Sequence, residues 1–159
     1  AYLHDIVNVP KNHPERSKAS ELAADKAIKL LQEVGYPSNK FAAIHQAIIE
    51  HSWSRGLSPS SLEAAIVQDA DRLDALGAIG VLRCAAVNVQ MKSSFYDPQD
   101  PLADHRDLDD KNWMLDHYFV KLLKLPETMN TNTAKRIADQ RAAFMREFIA
   151  QLVKEVTQD

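Results

Sequence analysis

Apolar positions along this chain recur mostly at three- and four-residue spacing, the period of amphipathic helices rather than of half-buried strands. Residues 15–34 show it first, with Ala19, Leu22, Ala23, Ala27, Leu30, Leu31 and Val34 in helical register. Gly35 ends that helix and Pro37 prevents its resumption. Ser38 is placed to cap a further helix carrying Phe41, Ile44, Ile48 and Ile49, with His45 and His51 along it; Trp53 and Gly56 mark its end. Ser58-Pro59-Ser60 then opens a long central helix over 61–91. Gly77 and Gly80 fall inside it, and each weakens a helix by about 1 kcal/mol relative to alanine, so the pattern predicts a neighbouring helix packed close against them. From 92 to 110 the period breaks: Phe95, Tyr96, two prolines and a dense run of Asp, His and Arg predict a long irregular loop. Loops of that length in a compact domain are usually functional or disordered. Helical patterning returns over 111–125 and 133–156, with Phe144, Phe148, Ile149 and Leu152 on the predicted core face. Residues 1–9 read as the end of a buried helix that leaves through Pro10 and the polar Lys11-Asn12-His13-Pro14.

Composition narrows the class without changing that picture. At 159 residues the chain reads as one domain, 1–159, large enough to bury a core without disulfide or zinc staples. Hydrophobic residues at 45% and charged residues at 26% exclude a disordered chain, and only four glycines argue against an all-β fold. Cys84 stands alone, so no internal disulfide forms and a reducing cytoplasm is the expected location. A net charge of -3 gives no basic footprint, which disfavours long DNA or RNA as a partner. The longest apolar run, 75–82, stops at Arg83 and is too short to span a bilayer. The opening Ala-Tyr-Leu-His-Asp-Ile-Val has no Met, cap or turn, which predicts earlier helical turns upstream of it.

Two clusters can carry chemistry. Asp69, Asp71 and Asp74 interrupt an otherwise apolar segment, 66–80, and a buried carboxylate costs several kcal/mol unless it is paired or bound to a metal. His4-Asp5 is flanked by Tyr2, Leu3, Ile6 and Val7. A chain with this many His and Asp residues carries such a dipeptide by chance about as often as not, so placement, not the pair itself, gives it weight. A metal that activates water needs a few rigid anionic or imidazole ligands with positions left open. Adjacent helix residues diverge by about 100°, yet both can reach an ion lying over the groove between them. Helical phase does not choose among the three later acids: Asp71 has an ion pair with Arg72 or Lys26 as its ordinary alternative, and Asp69 and Asp74 suit a helix surface or an outer role. Asp74, one turn after Asp71, could orient a ligand or water. His45 and His51 could equally be polar edges of a packed helix, although His51 closes a helix where a cleft can form. Lys11, Arg16 and Lys18 could hold phosphate oxygens or simply solvate a helix start. Lys111 could pair with Asp109 or Asp110, and Cys84 reads as packing.

With these residues in place, the sequence resembles the HD-domain metal-dependent phosphohydrolases, named for a His, His-Asp, Asp ligand set on a bundle of helices. His4-Asp5 matches the paired element, and Ala70-Asp71-Arg72-Leu73 matches the distal acid. The similarity is closest to the YedJ-like branch and extends over nearly the whole chain, taking in His4-Asp5-Ile6-Val7, Lys11-Asn12-His13-Pro14, and 66–80, 97–111 and 122–126. It implies an all-α HD-domain bundle of roughly five to seven helices. It further implies a divalent metal (Mn, Mg, Fe or Ni) held by His4, Asp5 and Asp71, with His51 near the metal. The family's first ligand is a histidine in an earlier helix, which the resemblance places upstream of Ala1. The activity implied is hydrolysis of a small phosphorylated metabolite, foremost a nucleotide, and in some related proteins a nucleoside triphosphate split to monophosphate and pyrophosphate. His51 and Asp74 would carry proton traffic, and Lys11, Arg16 and Lys18 would meet phosphate; a homodimer is compatible with all of this. Two other readings stay open: an HD hydrolase of alarmones or cyclic dinucleotides, and a non-catalytic helical module that binds nucleotide or protein.

Overall fold

The computed structural model describes residues 1–9 and 13–157, and these are all-α. Six α-helices follow in order: α1 (Ala19–Glu33), α2 (Phe41–Glu50), α3 (Leu62–Leu73), α4 (Gly77–Met91), α5 (Met114–Val120) and α6 (Asn132–Thr157). Tight 3-10 turns lie at Pro14–Lys18, Ser38–Lys40, Trp53–Arg55 and Leu122–Thr128. Among the described residues there is no strand, only an isolated bridge between Ser94 and Trp113. The chain divides into two compact units, 1–71 and 72–159.

In the first unit α1 and α2 pack as a pair. Ala23, Ala24 and Ala27 are almost wholly buried, and their small side chains bring α1 close against Ile48 of α2. Leu3, Ile6, Val7, Ile44 and Ile49 close over the same cluster, so the apolar neighbours of His4-Asp5 fix that pair to the helices. The predicted helix over 1–9 is absent. Residues 2–5 form turns instead, with the His4 N–H on the Ala1 carbonyl and the Ile6 N–H on the Leu3 carbonyl. Helix nucleation costs several fixed residues per bond, and a short stretch running into a proline offers few bonds in return. Gly35, at φ +69°, ends α1 as predicted, its N–H on the Gln32 carbonyl. Ser38 does not cap α2; it lies inside the preceding 3-10 turn, and Ser61 performs the equivalent role for α3 by accepting from the Ala64 N–H.

The second unit packs α4, α5 and α6 with the 3-10 turn at Leu122–Thr128. Ala134, Ala138, Ala142, Met145 and Ile149 form the buried stripe of α6, against a core of Leu76, Met114, Leu115, Tyr118, Leu122 and Leu125. Phe144, expected on that face, is exposed, because the stripe runs through 142, 145 and 149 and leaves 144 out of phase.

The single central helix over 61–91 is two helices. α3 stops at Leu73, whose carbonyl accepts from Arg141 Nη1 at 2.6 Å, and the N–H groups of Ala75 and Leu76 turn back to Arg72 and Leu73. Gly77 sits at φ +71°, where an added Cβ would also lie 3.1 Å from Arg141 Cγ. On Gly80 a Cβ would overlap the Ala75 carbonyl. A helix neighbour does meet Gly77, as predicted, but both glycines serve the bend between two helices rather than the middle of one.

The long loop after α4 is ordered around Asp116 of α5, which is fully buried. Its carboxylate takes a two-pronged contact from Arg106, at 2.5 and 3.0 Å, and the Asp109 N–H at 2.7 Å. Arg106 also reaches Asp97 Oδ2 at 3.2 Å and the Asp100 and Asp107 carbonyls, and lies over the Trp113 ring.

Candidate metal centre

The site is built within the first unit. α2 delivers His51 at its C-terminal end, and the preceding residue fixes the register. Glu50 is buried, accepting from Gln46 Nε2 at 2.7 Å and from the N–H and hydroxyl of Ser60 at 2.9 and 3.0 Å. Burial alone would raise its pKa, but these donors outweigh that and hold the carboxylate below its ordinary range. Gln68 of α3 donates to the Glu50 carbonyl at 2.8 Å and the Leu57 carbonyl at 3.0 Å. One turn later on the same helix stands Asp71.

His4, Asp5 and His51 converge so that one ligand atom from each lies within 4.8 Å of the others. Asp5 spans the two rings: Oδ2 is 3.7 Å from His4 Nε2, and Oδ1 is 3.4 Å from His51 Nε2. Asp71 Oδ1 is 3.7 Å from His4 Nε2. The rings meet edge to face, 4.8 Å between centroids. Each imidazole uses its other nitrogen locally, His4 Nδ1 on the Ala1 carbonyl at 2.6 Å and His51 Nδ1 on the Ile48 carbonyl at 2.5 Å. A carbonyl accepts only, so each Nδ1 carries the proton, and in the neutral ring Nε2 is left as a lone pair. Two lone-pair nitrogens thus face two carboxylates, four acceptors with no donor between them. Such a group calls for a proton or a cation, and imidazole with carboxylate is a donor set that suits first-row divalent metals.

The electrostatics agree. Asp5 is held below the usual carboxylate range by its contact with His51 first, against some burial, with the charges of His4, His51 and Arg16 adding to it. Burial disfavours a charged His51, but contacts with Asp5 and the Ile48 carbonyl and the charges of Asp71 and Asp5 prevail, so its pKa is raised.

The other predicted residues fall as follows. Asp69 is buried rather than on the helix surface, because it follows Gln68 onto the packed side of α3. Asp74 belongs to the second unit, beyond the end of α3, and its exposed carboxylate pairs there with Arg83 at 3.3 Å. His45 pairs with Asp25 at 3.0 Å. Arg16 Nη1 donates to the Val9 carbonyl at 2.6 Å, and Lys18 faces Glu15 at 3.8 Å. Lys11 lies outside the described residues. Sequence reasoning missed Glu50 as the anchor of His51; its only signal was a Gln four residues earlier on a helix.

The sequence pattern of the HD domain matches residues 1–76, the segment that contains His4, Asp5 and His51 and also Asp71. The uncharacterized protein YpgQ of Bacillus subtilis is 39% identical over 169 aligned residues, covering 98% of this chain and 70% of that relative. The chain belongs to the HD domain family. Solved structures agree: B. subtilis YpgQ in complex with ADP superposes with a TM-score of 0.72 at 30% identity, over 98% of this chain and 70% of that one. An HD-superfamily hydrolase from Bacillus thuringiensis gives 0.70 at 33% identity, over 99% and 71%. These matches establish the HD family without resolving a YedJ-like branch. Among the described residues, no single helix is long and apolar enough to cross a membrane.

Proposed function

We propose that this HD protein is a metal-dependent phosphohydrolase acting on a nucleotide, with a nucleoside triphosphate cleaved to monophosphate and pyrophosphate as the leading case. The observation that carries the reading is the convergence of His4, Asp5 and His51, which Asp71 joins through His4 Nε2 at 3.7 Å. His4, Asp5, Asp71 and His51 would hold the ion, one of Mn, Mg, Fe or Ni. A divalent cation bound there would lower the pKa of coordinated water toward neutrality and offset charge on phosphoryl oxygens. The protein's own part is positional. The Nδ1 contacts keep both imidazoles in one tautomer, and the Glu50 tether keeps His51 at the end of α2. His51, with its raised pKa, is suited to carry a proton if it is not committed to the metal. Arg16 and Lys18, with Lys11, supply positive charge for phosphate. Attack of water on the α-phosphorus breaks its bond to the α–β bridging oxygen, so the monophosphate keeps the water oxygen and pyrophosphate leaves with the proton.

The ADP found with YpgQ supports a nucleotide for this relative of it. A screen of nucleotides with Mn, separating orthophosphate from pyrophosphate, tests the reading. Pyrophosphate from triphosphates is expected, and it should vanish in Asp71→Ala without loss of fold. Absence of phosphate release with every divalent ion would instead favour a binding module.

A further inference from the structure

Within the first unit a cavity of about 590 Å³ is lined by Arg16, Ser17, Lys18, Glu21, Arg55 and Leu57. It is open to solvent rather than enclosed, so an anion can enter without a conformational change. Its lining carries three cations and one carboxylate, Glu21, while Glu15 approaches Lys18 at 3.8 Å, so Arg16 and Arg55 supply the surplus charge. Arg16 ties the cavity to the segment that carries the metal centre, its Nη1 donating to the Val9 carbonyl at 2.6 Å, four residues after Asp5. Arg55 comes from the 3-10 turn just after His51, and its Nη1 donates to Glu21 Oε1 at 2.7 Å, a link from that turn to α1. Glu21 is half-exposed and uses one guanidinium nitrogen of Arg55, whereas a guanidinium offers five N–H donors in a fixed fork.

We propose that this cavity is an anion clamp that takes the phosphate chain of the substrate beyond the reacting phosphorus, with Arg55 as its principal contact and Glu21 as a competing latch. The proposal rests on the phosphohydrolase reading for what the chain belongs to, but the clamp binds anion by its own charges. Three cations suit a di- or triphosphate chain better than a single phosphate, so Arg55 would set a preference for longer phosphate chains. Glu21 holds Arg55 over the cavity when it is empty and opposes the anion by its own charge. Its removal should therefore tighten binding, which a merely structural ion pair would not do.

The test is calorimetric titration of the full chain with inorganic tripolyphosphate, with no metal added, at low and at physiological salt. Wild-type protein should bind, more weakly as salt rises. Arg55→Ala should weaken binding about tenfold, the usual scale for losing a charge-assisted contact, and Arg55→Lys should recover part of it. Glu21→Gln should bind severalfold more tightly than wild type. Thermal unfolding of each variant identifies any loss that reflects misfolding, in which case the Glu21→Gln result decides. No tripolyphosphate binding by wild type, unchanged affinity in folded Arg55→Ala, or weaker binding in Glu21→Gln overturns the clamp. Because metal and turnover are absent, a failed nucleotide screen leaves this result standing. Conversely, hydrolysis that survives with unaltered anion affinity in Arg55→Ala removes the clamp alone.

Discussion

His51 presents Nε2 to Asp5 Oδ1 at 3.4 Å while its Nδ1 is engaged by the Ile48 carbonyl. The ring is therefore oriented by its own helix before any ligand arrives. On the proposed reading that pre-set lone pair serves either the ion or a proton, and its role as a ligand is the one that metal affinity tests. In His51→Ala, Mn affinity should fall by at least tenfold, the scale on which even supporting partners of metal ligands act. Calorimetry or Mn paramagnetic resonance reads it directly. Unchanged affinity in a folded variant would remove His51 from the ligand set.

Glu50 should matter more for stability than its position beside a functional residue suggests. Glu50→Ala leaves the Ser60 N–H and the Gln46 amide without their acceptor, so denaturant unfolding should show a loss of about 1–3 kcal/mol. The Gln68→Ala change strips donors from two carbonyls and should cost a similar amount.

Gly77→Ala tests the bend. A left-handed backbone costs a residue with a Cβ about 1–2 kcal/mol, and here the methyl also meets the Arg141 stem. A fall in unfolding free energy of at least that size is expected, with helical content retained by circular dichroism.

The acidic loop yields a pH prediction. Asp100 is held below the usual carboxylate range by the His105 N–H first, and Asp109 by the Asn112 side-chain amide first, each against slight desolvation. Carboxylates whose folded values are depressed contribute fully above the unfolded value, about 4, and lose that contribution as pH falls through the lower folded values. Carbon-detected titration of both carboxyls should give midpoints below free aspartate, and Asn112→Ala should raise that of Asp109.

The helices were legible because their apolar positions carry the 3.6 period, and the candidate site was legible because His4-Asp5 and Asp71, which the fold brings together, stood out against apolar neighbours. What escaped was local. The bend at 74–77 hides in a sequence whose hydrophobic run continues straight through it, and a glycine's positive φ leaves no mark on periodicity. The turn at 2–5 escaped for the opposite reason, since its apolar residues match helical spacing although the bonds are those of turns. Glu50 and Arg55 were invisible because their partners, Ser60 and Glu21, are set by tertiary placement rather than by spacing.

Asp116 collects the Arg106 fork and the Asp109 amide at one point with no solvent access. The segment from Arg106 to Asp109 resists fraying residue by residue, because releasing either of them uncovers the same anion. Its amides should accordingly exchange with deuterium together, at a rate set by a single cooperative opening. Kinetically, a stretch rich in aspartate and without helix would behave as an extension of α5.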